Sequence, residues 1–290
     1  MRTIKERLGD YGDYLRIQNF AKSTQKSYLL WLKEFLEFRE RQLITGPLDQ
    51  EQARLFILYK LDQGREWSTI NCIYSSLRKY YREVLLTEWW IKKLPRPKRD
   101  KVLPLLISKE EVIRLIEHVP LYKHQVILTL LYATGLRLNE GLQLKLHDVH
   151  SEREQIMVKH GKGAKDRYVF MPSCLLDLLR EYFKRMKPEH YLFNGRIRGQ
   201  TISSSAVQRA IQQGRKKARI IKHVTTHTLR HCYATHHLES GTNLVFLQRQ
   251  MGHKHLKTTA QYIRLSHNYH RSVKHPITSM QIRYYKKNRR

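Results

Sequence analysis

The chain has 290 residues, of which 41% are hydrophobic, and its formal net charge is +30. This length is enough for two domains, and the hydrophobic content supports packed cores, which excludes a disordered polycation. The sequence has no run of about 18 apolar residues, so no membrane span is predicted. The first residues also lack the apolar stretch of a secretory signal. Three scattered cysteines argue against a disulfide framework, so a cytoplasmic location is expected.

The excess of positive charge indicates a polyanionic partner, for which nucleic acid is the commonest candidate. Composition alone fits a ribosomal or chromatin-type protein equally well. The basic residues are spread along the chain instead of forming one amphipathic helix, which disfavours an acidic membrane surface. Charge therefore predicts the class of partner and nothing finer.

Apolar residues recur at helical spacing in the first part of the chain and predict a small helical bundle over residues 1–93. Its helices are predicted at 23–38, 51–61 and 68–84, with Ser23 and Ser68 as N-caps. Lys26 lies on the polar side of the first of them and is a candidate DNA contact.

Two prolines, Pro95 and Pro97, interrupt the chain within residues 94–103 and prevent a helix or a central strand from continuing there. Basic residues alternate with them, among them Lys98. We predict an extended linker that contacts a phosphate backbone, and we put the domain boundary in it.

A second domain is predicted over residues 104–270, and it is mostly helical. It opens with a capping box at Ser108 and Glu111, followed by an apolar helix over 124–133 that ends near Gly135. The hydrophobic period then changes to two, which predicts a hairpin of strands 156–158 and 168–171 with a basic tip that includes Lys165. Further helices are predicted at 175–186 and 203–218, and three more lie between 225 and 266, broken at Gly241 and Gly252. Residues 271–290 form a basic tail with seven Arg or Lys and no acidic residue.

Several residues of the second domain suit an attack on a DNA phosphodiester. Without a metal ion, that attack needs fixed cations for the charge that builds on the phosphate, an in-line nucleophile and an acid for the leaving oxygen. Arg137 and Arg230 are candidate phosphate clamps, because a guanidinium binds two oxygens at once and stays charged. His227 is three positions from Arg230 on one helix face, and His253 follows a helix end on a loop.

The other chemical roles fall on three further residues. Tyr262 is the candidate nucleophile, whose phosphotyrosyl ester would keep the energy of the broken bond, so rejoining needs no ATP. Lys162 lies between two glycines at the hairpin tip and is the candidate acid for the leaving oxygen. Glu140 is either a plain helix surface residue or the group that holds Arg137, three positions before it.

Two other site types fit the residues poorly. His227, His231, Cys232 and His236 have spacings that a zinc site could use, but no HExxH or CxxC pattern accompanies them. The segment around Lys162 lacks the GxxxxGK[ST] frame of a nucleotide-binding loop. We therefore predict neither a metal nor a cofactor, and no small-molecule substrate.

With these residues in view, the chain resembles the tyrosine recombinases of the phage integrase family. Five elements carry the resemblance in order: Ala133-Thr134-Gly135-Leu136-Arg137-Leu138-Asn139-Glu140, Lys162 in the hairpin, His227 with Arg230, Met251-Gly252-His253, and Tyr262. Each is weak alone, and their order and spacing make the combination specific. Met251 stands where Leu is common in the family, a change of similar volume.

The resemblance implies a mainly α fold with a small antiparallel β-sheet, in which a SAM-like helical domain precedes an α+β catalytic domain. It implies site-specific recombination through a 3′-phosphotyrosine at Tyr262. The catalytic set it implies is Arg137, Lys162, His227, Arg230, His253 and Tyr262. The implied partner is duplex DNA with inverted-repeat sites, on which four protomers assemble.

Finer distinctions stay open at this point. Only about twenty residues separate Met171 from Phe193, which favours a Xer-like or transposon-borne recombinase over an integron integrase. A type IB topoisomerase uses similar chemistry, although the short spacing of the elements disfavours it. A DNA-binding protein that has lost catalysis is the third alternative, and every catalytic position being filled argues against it.

Overall fold

A computed structural model of the chain describes residues 2–89, 104–159 and 166–266. The chain divides into two compact units, Met1–Val102 and Leu103–Arg290. The predicted linker at 94–103 and the basic tail at 271–290 lie outside the described residues. In the part of the chain that is described, no helix has both the length and the apolar character that crossing a membrane requires.

Over residues 2–89, the first unit is a bundle of four helices: α1 (Ile4–Ile17), α2 (Lys22–Arg41), α3 (Gln50–Asp62) and α4 (Trp67–Glu83). Their apolar faces meet in one core, in which Tyr11, Phe35, Phe56 and Leu77 are fully buried. The helical bundle is confirmed, and α1 is an addition to the three predicted helices. Lys26 is exposed on α2.

Both predicted N-caps of this bundle are wrong. Helix α2 is capped at Ala21 and α4 at Glu66, so Ser23 and Ser68 lie within the first helical turns. Neither cap position makes a side-chain hydrogen bond to the helix backbone, so both helices start without the signal on which the prediction relied.

The second unit begins with α5 (Lys109–Glu117), α6 (Tyr122–Thr134) and α7 (Leu138–Leu142). Ser108 caps α5 through the predicted box with Glu111, and Gly135 ends α6 in the left-handed conformation. Two short 3-10 helices, at Leu146–Asp148 and Ser151–Arg153, then flank the first strand of the sheet.

The sheet has three antiparallel strands in the order β1 (Val149–His150), β2 (Gln155–Val158) and β3 (Arg167–Phe170). Strands β2 and β3 form the predicted hairpin, in which Ile156 pairs with Val169 and both are fully buried. Strand β1 is too short to have been predicted. The tip of the hairpin, with Lys162 and Lys165, lies outside the described residues.

Five further helices are described in the second unit: α8 (Ser173–Met186), α9 (Ser204–Lys217), α10 (Thr226–Glu239), α11 (Leu244–Met251) and α12 (Leu256–Ala260). The breaks predicted at Gly241 and Gly252 are confirmed, with φ of 82° and 62°. Buried residues of α6 and α10 belong to the main core. A smaller core of Tyr233, Leu247, Met251 and Tyr262 joins α10 and α11 to the residues after α12, and it supports the candidate site.

Candidate active site

Glu140 holds two arginines that are far apart in sequence. Its carboxylate accepts from the Arg137 backbone N–H at 2.9 Å and from the Arg137 guanidinium at 2.8 Å. It also accepts from two nitrogens of Arg167 at 2.8 and 3.2 Å. Burial raises the pKa of this carboxyl group, but the hydrogen bonds and charge of Arg167, together with those of Arg137, outweigh burial and hold it at about 2. Of the two alternatives for Glu140, the structure therefore supports the one in which it holds Arg137.

Arg167, which has no assigned role in the sequence analysis, is the second partner of Glu140. It is the first residue of β3, and its Nε donates to the backbone oxygen of Gln250 at 3.1 Å. A Cβ added to Gly252 would lie 2.9 Å from the Arg167 guanidinium carbon, so this glycine permits the close approach of the arginine. The arginine thus ties the hairpin to the segment that presents His253.

Gly135 lets the chain turn from α6 toward Arg137. It has a φ of 64°, and its backbone oxygen accepts a hydrogen bond from Arg230. A Cβ at this position would lie 2.6 Å from Cε1 of the Tyr233 ring, which is closer than real contacts allow. The turn therefore requires glycine for its backbone conformation and for the space that it leaves.

Replacing Gly135 with alanine should lower the free energy of unfolding by about 2–4 kcal/mol, because left-handed strain adds to overpacking against Tyr233. Gly199→Ala is the matched control, since Gly199 has a φ of 75° but no neighbour within 4 Å of a Cβ. That variant should lose only about 1–2 kcal/mol. Urea unfolding of the full chain measures the free energy of unfolding of both variants. Equal losses in the two variants would show that the contact with Tyr233 does not contribute to the cost of the substitution.

Arg230 is almost completely buried, with 2% of its surface exposed. Its guanidinium donates to the backbone oxygens of Gly135 and Met251, the latter at 2.6 Å, and to Nε2 of His253 at 3.1 Å. Burial lowers the pKa of Arg230 to about 10, with the nearby charge of Arg137 also contributing. The guanidinium therefore stays cationic at neutral pH, and its three hydrogen-bond acceptors fix its orientation.

The hydrogen bonds of His253 define its tautomer. An arginine can only donate, so Nε2 of His253 accepts from Arg230 and the ring proton lies on Nδ1. Nδ1 then donates to the Thr259 hydroxyl at 2.9 Å. Burial and the charges of Arg230 and Arg137 lower the pKa of His253 to about 4, which keeps the ring neutral. In this arrangement His253 orients Arg230.

Tyr262 lies just after α12 with 1% of its surface exposed. Its hydroxyl is 3.0 Å from Nδ1 of His231, and its ring stacks against His253 with centroids 6.3 Å apart. Burial raises the pKa of this phenol, although the charges of Arg230 and Arg137 and a hydrogen bond with Gln261 lower it. The candidate nucleophile thus lies near Arg230 and Arg137, which are called the arginine cluster below.

His227 is exposed at the first turn of α10. Its ring meets the edge of His231 with centroids 4.9 Å apart. Burial of the ring atoms, with the charges of Arg230 and Arg137, lowers the pKa of His227. It is the member of the predicted set that is most open to solvent among those described.

The structure thus brings together Arg137, Glu140, His227, Arg230, His253 and Tyr262, while Lys98, Lys162 and Lys165 lie outside the described residues and Lys26 lies in the first unit. Sequence reasoning missed Arg167, Gln250 and Thr259, and it considered His231 only as a zinc ligand. Within the described ranges, no group of three or more His, Cys, Asp or Glu side chains is arranged to hold a metal ion. The Cys232 sulfur instead contacts the backbone of Ile107 at 3.4 Å.

The neutral histidines predict a loss of stability in mild acid. Burial lowers the pKa of His231 and of His253 from 6.5 to about 4. As the pH falls below 6.5, these histidines become protonated in the unfolded chain but stay neutral in the folded one. The free energy of unfolding therefore decreases between pH 6.5 and about 4. At pH 5 the loss should reach about 2 kcal/mol per histidine. Urea unfolding at pH 7 and 5 measures it, and His253→Asn should show a smaller difference between the two pH values than the parent chain.

Comparisons with known proteins identify the family to which both parts of the chain are similar. The phage integrase family matches residues 106–268, and the SAM-like N-terminal domain of phage integrases matches residues 8–91. A putative integrase/recombinase of Sinorhizobium fredii, y4qK, is 35% identical over 272 residues, which are 92% of this chain and 86% of that protein. The tyrosine recombinase XerA of Pyrococcus furiosus is 34% identical over 267 residues, or 90% of each chain.

A solved structure extends the similarity to the fold. The site-specific recombinase XerH, in a pre-cleavage complex with its difH substrate, has a TM-score of 0.66 and 22% identity to this chain. The match covers 82% of this chain and 75% of XerH. The two family matches together span most of the sequence and both structural units. The chain therefore belongs to the phage integrase family and is a tyrosine site-specific recombinase.

Proposed function

We propose that this recombinase cleaves and rejoins duplex DNA through a covalent bond between the phosphate and Tyr262, without a metal ion or ATP. One observation carries the proposal: a buried tyrosine hydroxyl lies close enough to two fixed arginines to feel their charge. Tyr262 stacks on His253, and His253 accepts a hydrogen bond from Arg230. The charges of Arg230 and Arg137 both act on its phenol.

In this mechanism Arg137 and Arg230 bind the non-bridging oxygens of one phosphate and stabilise the charge that develops in the transition state. His227 donates to the same phosphate from the open side of the cluster. Tyr262 attacks phosphorus to form a 3′-phosphotyrosyl ester, while the 5′-oxygen leaves and takes a proton from Lys162. The reverse attack by a 5′-hydroxyl restores the DNA backbone, and the ester supplies the energy.

DNA is the proposed partner because of the net charge of +30 and the membership of a recombinase family, of which the structural neighbour XerH is bound to its difH substrate. Lys26, Lys98 and Lys165 are proposed as additional phosphate contacts. By analogy with the family, we propose inverted-repeat sites and four protomers in the complex that exchanges strands. Binding should weaken steeply with salt, with a log–log slope of about −0.9 per phosphate neutralised.

Covalent trapping tests the mechanism. A binding site is first selected from randomised duplex DNA with the full chain, and a nick is then moved along it to find the position that prevents rejoining. In EDTA and without ATP, we expect a protein–DNA adduct with a 3′-phosphate linked to the peptide that contains Tyr262. An adduct on another residue, or a requirement for a divalent metal, would contradict the proposal.

A further inference from the structure

His231 contacts the hydroxyl of Tyr262, and the proposed mechanism gives it no role. It follows Arg230 on α10, and its Nδ1 is 3.0 Å from the Tyr262 oxygen. The two rings are tilted, with centroids 5.6 Å apart. A histidine nitrogen at this distance from a phenol either holds the phenol in place or takes its proton.

Tyr262 needs a proton acceptor because its surroundings favour the neutral phenol. Only 1% of its surface is exposed, and this burial raises its pKa above the ordinary value of 10. Very little phenolate is therefore present at neutral pH, and a phenol is a weak nucleophile until its proton leaves. Solvent has little access to this hydroxyl to remove the proton.

The other groups around the hydroxyl are poor acceptors. Arg230 and Arg137 cannot accept a proton, and both nitrogens of His253 are engaged, by Arg230 and by Thr259. The Gln261 amide, which also interacts with Tyr262, can donate to a phenolate but has no basic site.

We propose that His231 is the general base for Tyr262, an inference that rests on the proposed function. As the Tyr262 oxygen bonds to phosphorus, its proton moves to Nδ1 of His231 and the P–O5′ bond breaks. The 5′-oxygen takes its proton from a different group, the proposed Lys162. In the reverse step the imidazolium of His231 returns the proton to the departing phenolate.

The surroundings of His231 suit this role. Burial and the charges of His227 and Arg230, on the same helix, lower the pKa of His231 to about 4, so the ring is neutral and ready to accept at neutral pH. His253 faces it from the segment between α11 and α12, and Tyr262 faces it from the residues after α12. The proton of the Tyr262 hydroxyl becomes more acidic as the oxygen bonds to phosphorus. Its transfer to His231 therefore becomes favourable during the attack, although not before it.

The test separates a base from a residue that only positions Tyr262. His231→Asn keeps a hydrogen-bond acceptor close to the position of Nδ1 but cannot take a proton. The selected duplex is made with sulfur in place of the bridging 5′-oxygen, because a thiolate leaves without an acid. Single-turnover adduct formation is then measured between pH 6 and 8.5 for the parent chain and for His231→Asn.

We expect adduct formation by the parent chain to be nearly independent of pH, since His231 is unprotonated over this range. His231→Asn should be about 100-fold slower at pH 7, within the usual contribution of general base catalysis. Its rate should rise about tenfold per pH unit, because attack then depends on the fraction of phenolate. A fluorinated tyrosine of lower phenol pKa at position 262 should reduce the difference between the two proteins.

His237→Asn is the matched control. His237 lies on the same helix, and its Nδ1 contacts Thr242 instead of the cluster, so its replacement should leave the rate unchanged. An unchanged rate in His231→Asn, or a slow rate with an unaltered pH profile, would overturn the proposal. Failure of the proposed function gives a different result, namely an adduct that persists in Tyr262→Phe.

Discussion

Replacing Tyr262 with phenylalanine should abolish covalent attachment to DNA while leaving DNA binding nearly intact. The change removes one oxygen from a ring that is 1% exposed and packed among Tyr233, Leu247 and Met251. The phenylalanine fills the same space, and the folded state loses the hydrogen bonds of the phenol with His231 and Gln261, each worth about 1 kcal/mol. Adduct formation on the nicked duplex and binding to the intact duplex measure the two effects.

Tyr233→Phe is the matched control for this prediction. Tyr233 belongs to the same small core and is 4% exposed, and burial raises the pKa of its phenol to about 12. It makes no contact with His231 among the described interactions, so its phenylalanine variant should form the adduct at the parental rate. Equal behaviour of the two variants would end the assignment of Tyr262 as the nucleophile.

Replacing Glu140 with glutamine should lower the free energy of unfolding by about 3–5 kcal/mol, because it leaves two guanidiniums without their counter-charge. The Glu140 side chain is 9% exposed, and those of Arg137 and Arg167 are 27% and 14% exposed. Adduct formation should also fall by about 100-fold, since Arg137 loses the group that aligns it. Urea unfolding and single-turnover trapping measure the two effects.

An exposed pair provides the control for Glu140. Glu189 binds Arg198 through two hydrogen bonds, at 3.0 and 3.3 Å, but the two side chains are 61% and 89% exposed. Glu189→Gln should therefore change the stability by about 0.5 kcal/mol or less. A similar loss in the two variants would show that burial does not strengthen the cluster around Glu140.

The pH dependence of the Glu140 effect has a defined sign. Its folded pKa of about 2 lies below the value of 4.5 for a free glutamate, so its contribution is complete above pH 4.5 and is lost as the pH falls through about 2. The stability difference between the parent chain and Glu140→Gln should accordingly shrink below about pH 4.

Local signals in the sequence predicted much of the fold. The capping box at Ser108, the left-handed end of α6 at Gly135 and the change of period at the hairpin each depend on residues close in sequence, and all three are confirmed. Helix α1 carries the same kind of signal, a box between Thr3 and Glu6, which the prediction overlooked.

The interactions that complete the site could not be predicted in this way. Arg167 reaches Glu140 across 27 positions, and His231 reaches Tyr262 across 31. These pairs form only when β3 and the residues after α12 pack beside α7 and α10, so no local pattern signals them. The sequence analysis considered His231 only as a zinc ligand, and rejected that site, because periodicity shows which residues share a helix face but not what lies opposite.

Gln250 links the end of helix α11 to strand β3. Its side-chain oxygen accepts from the Phe170 backbone N–H at 3.0 Å, and its backbone oxygen accepts from Arg167 at 3.1 Å. Both bonds anchor the end of α11 to β3, the strand that follows Lys162 in sequence. A displacement of β3 must either break these two bonds or carry residues 250–253 with it. His253, which orients Arg230, is therefore coupled to this strand, and a ligand that shifted β3 would also change the position of His253.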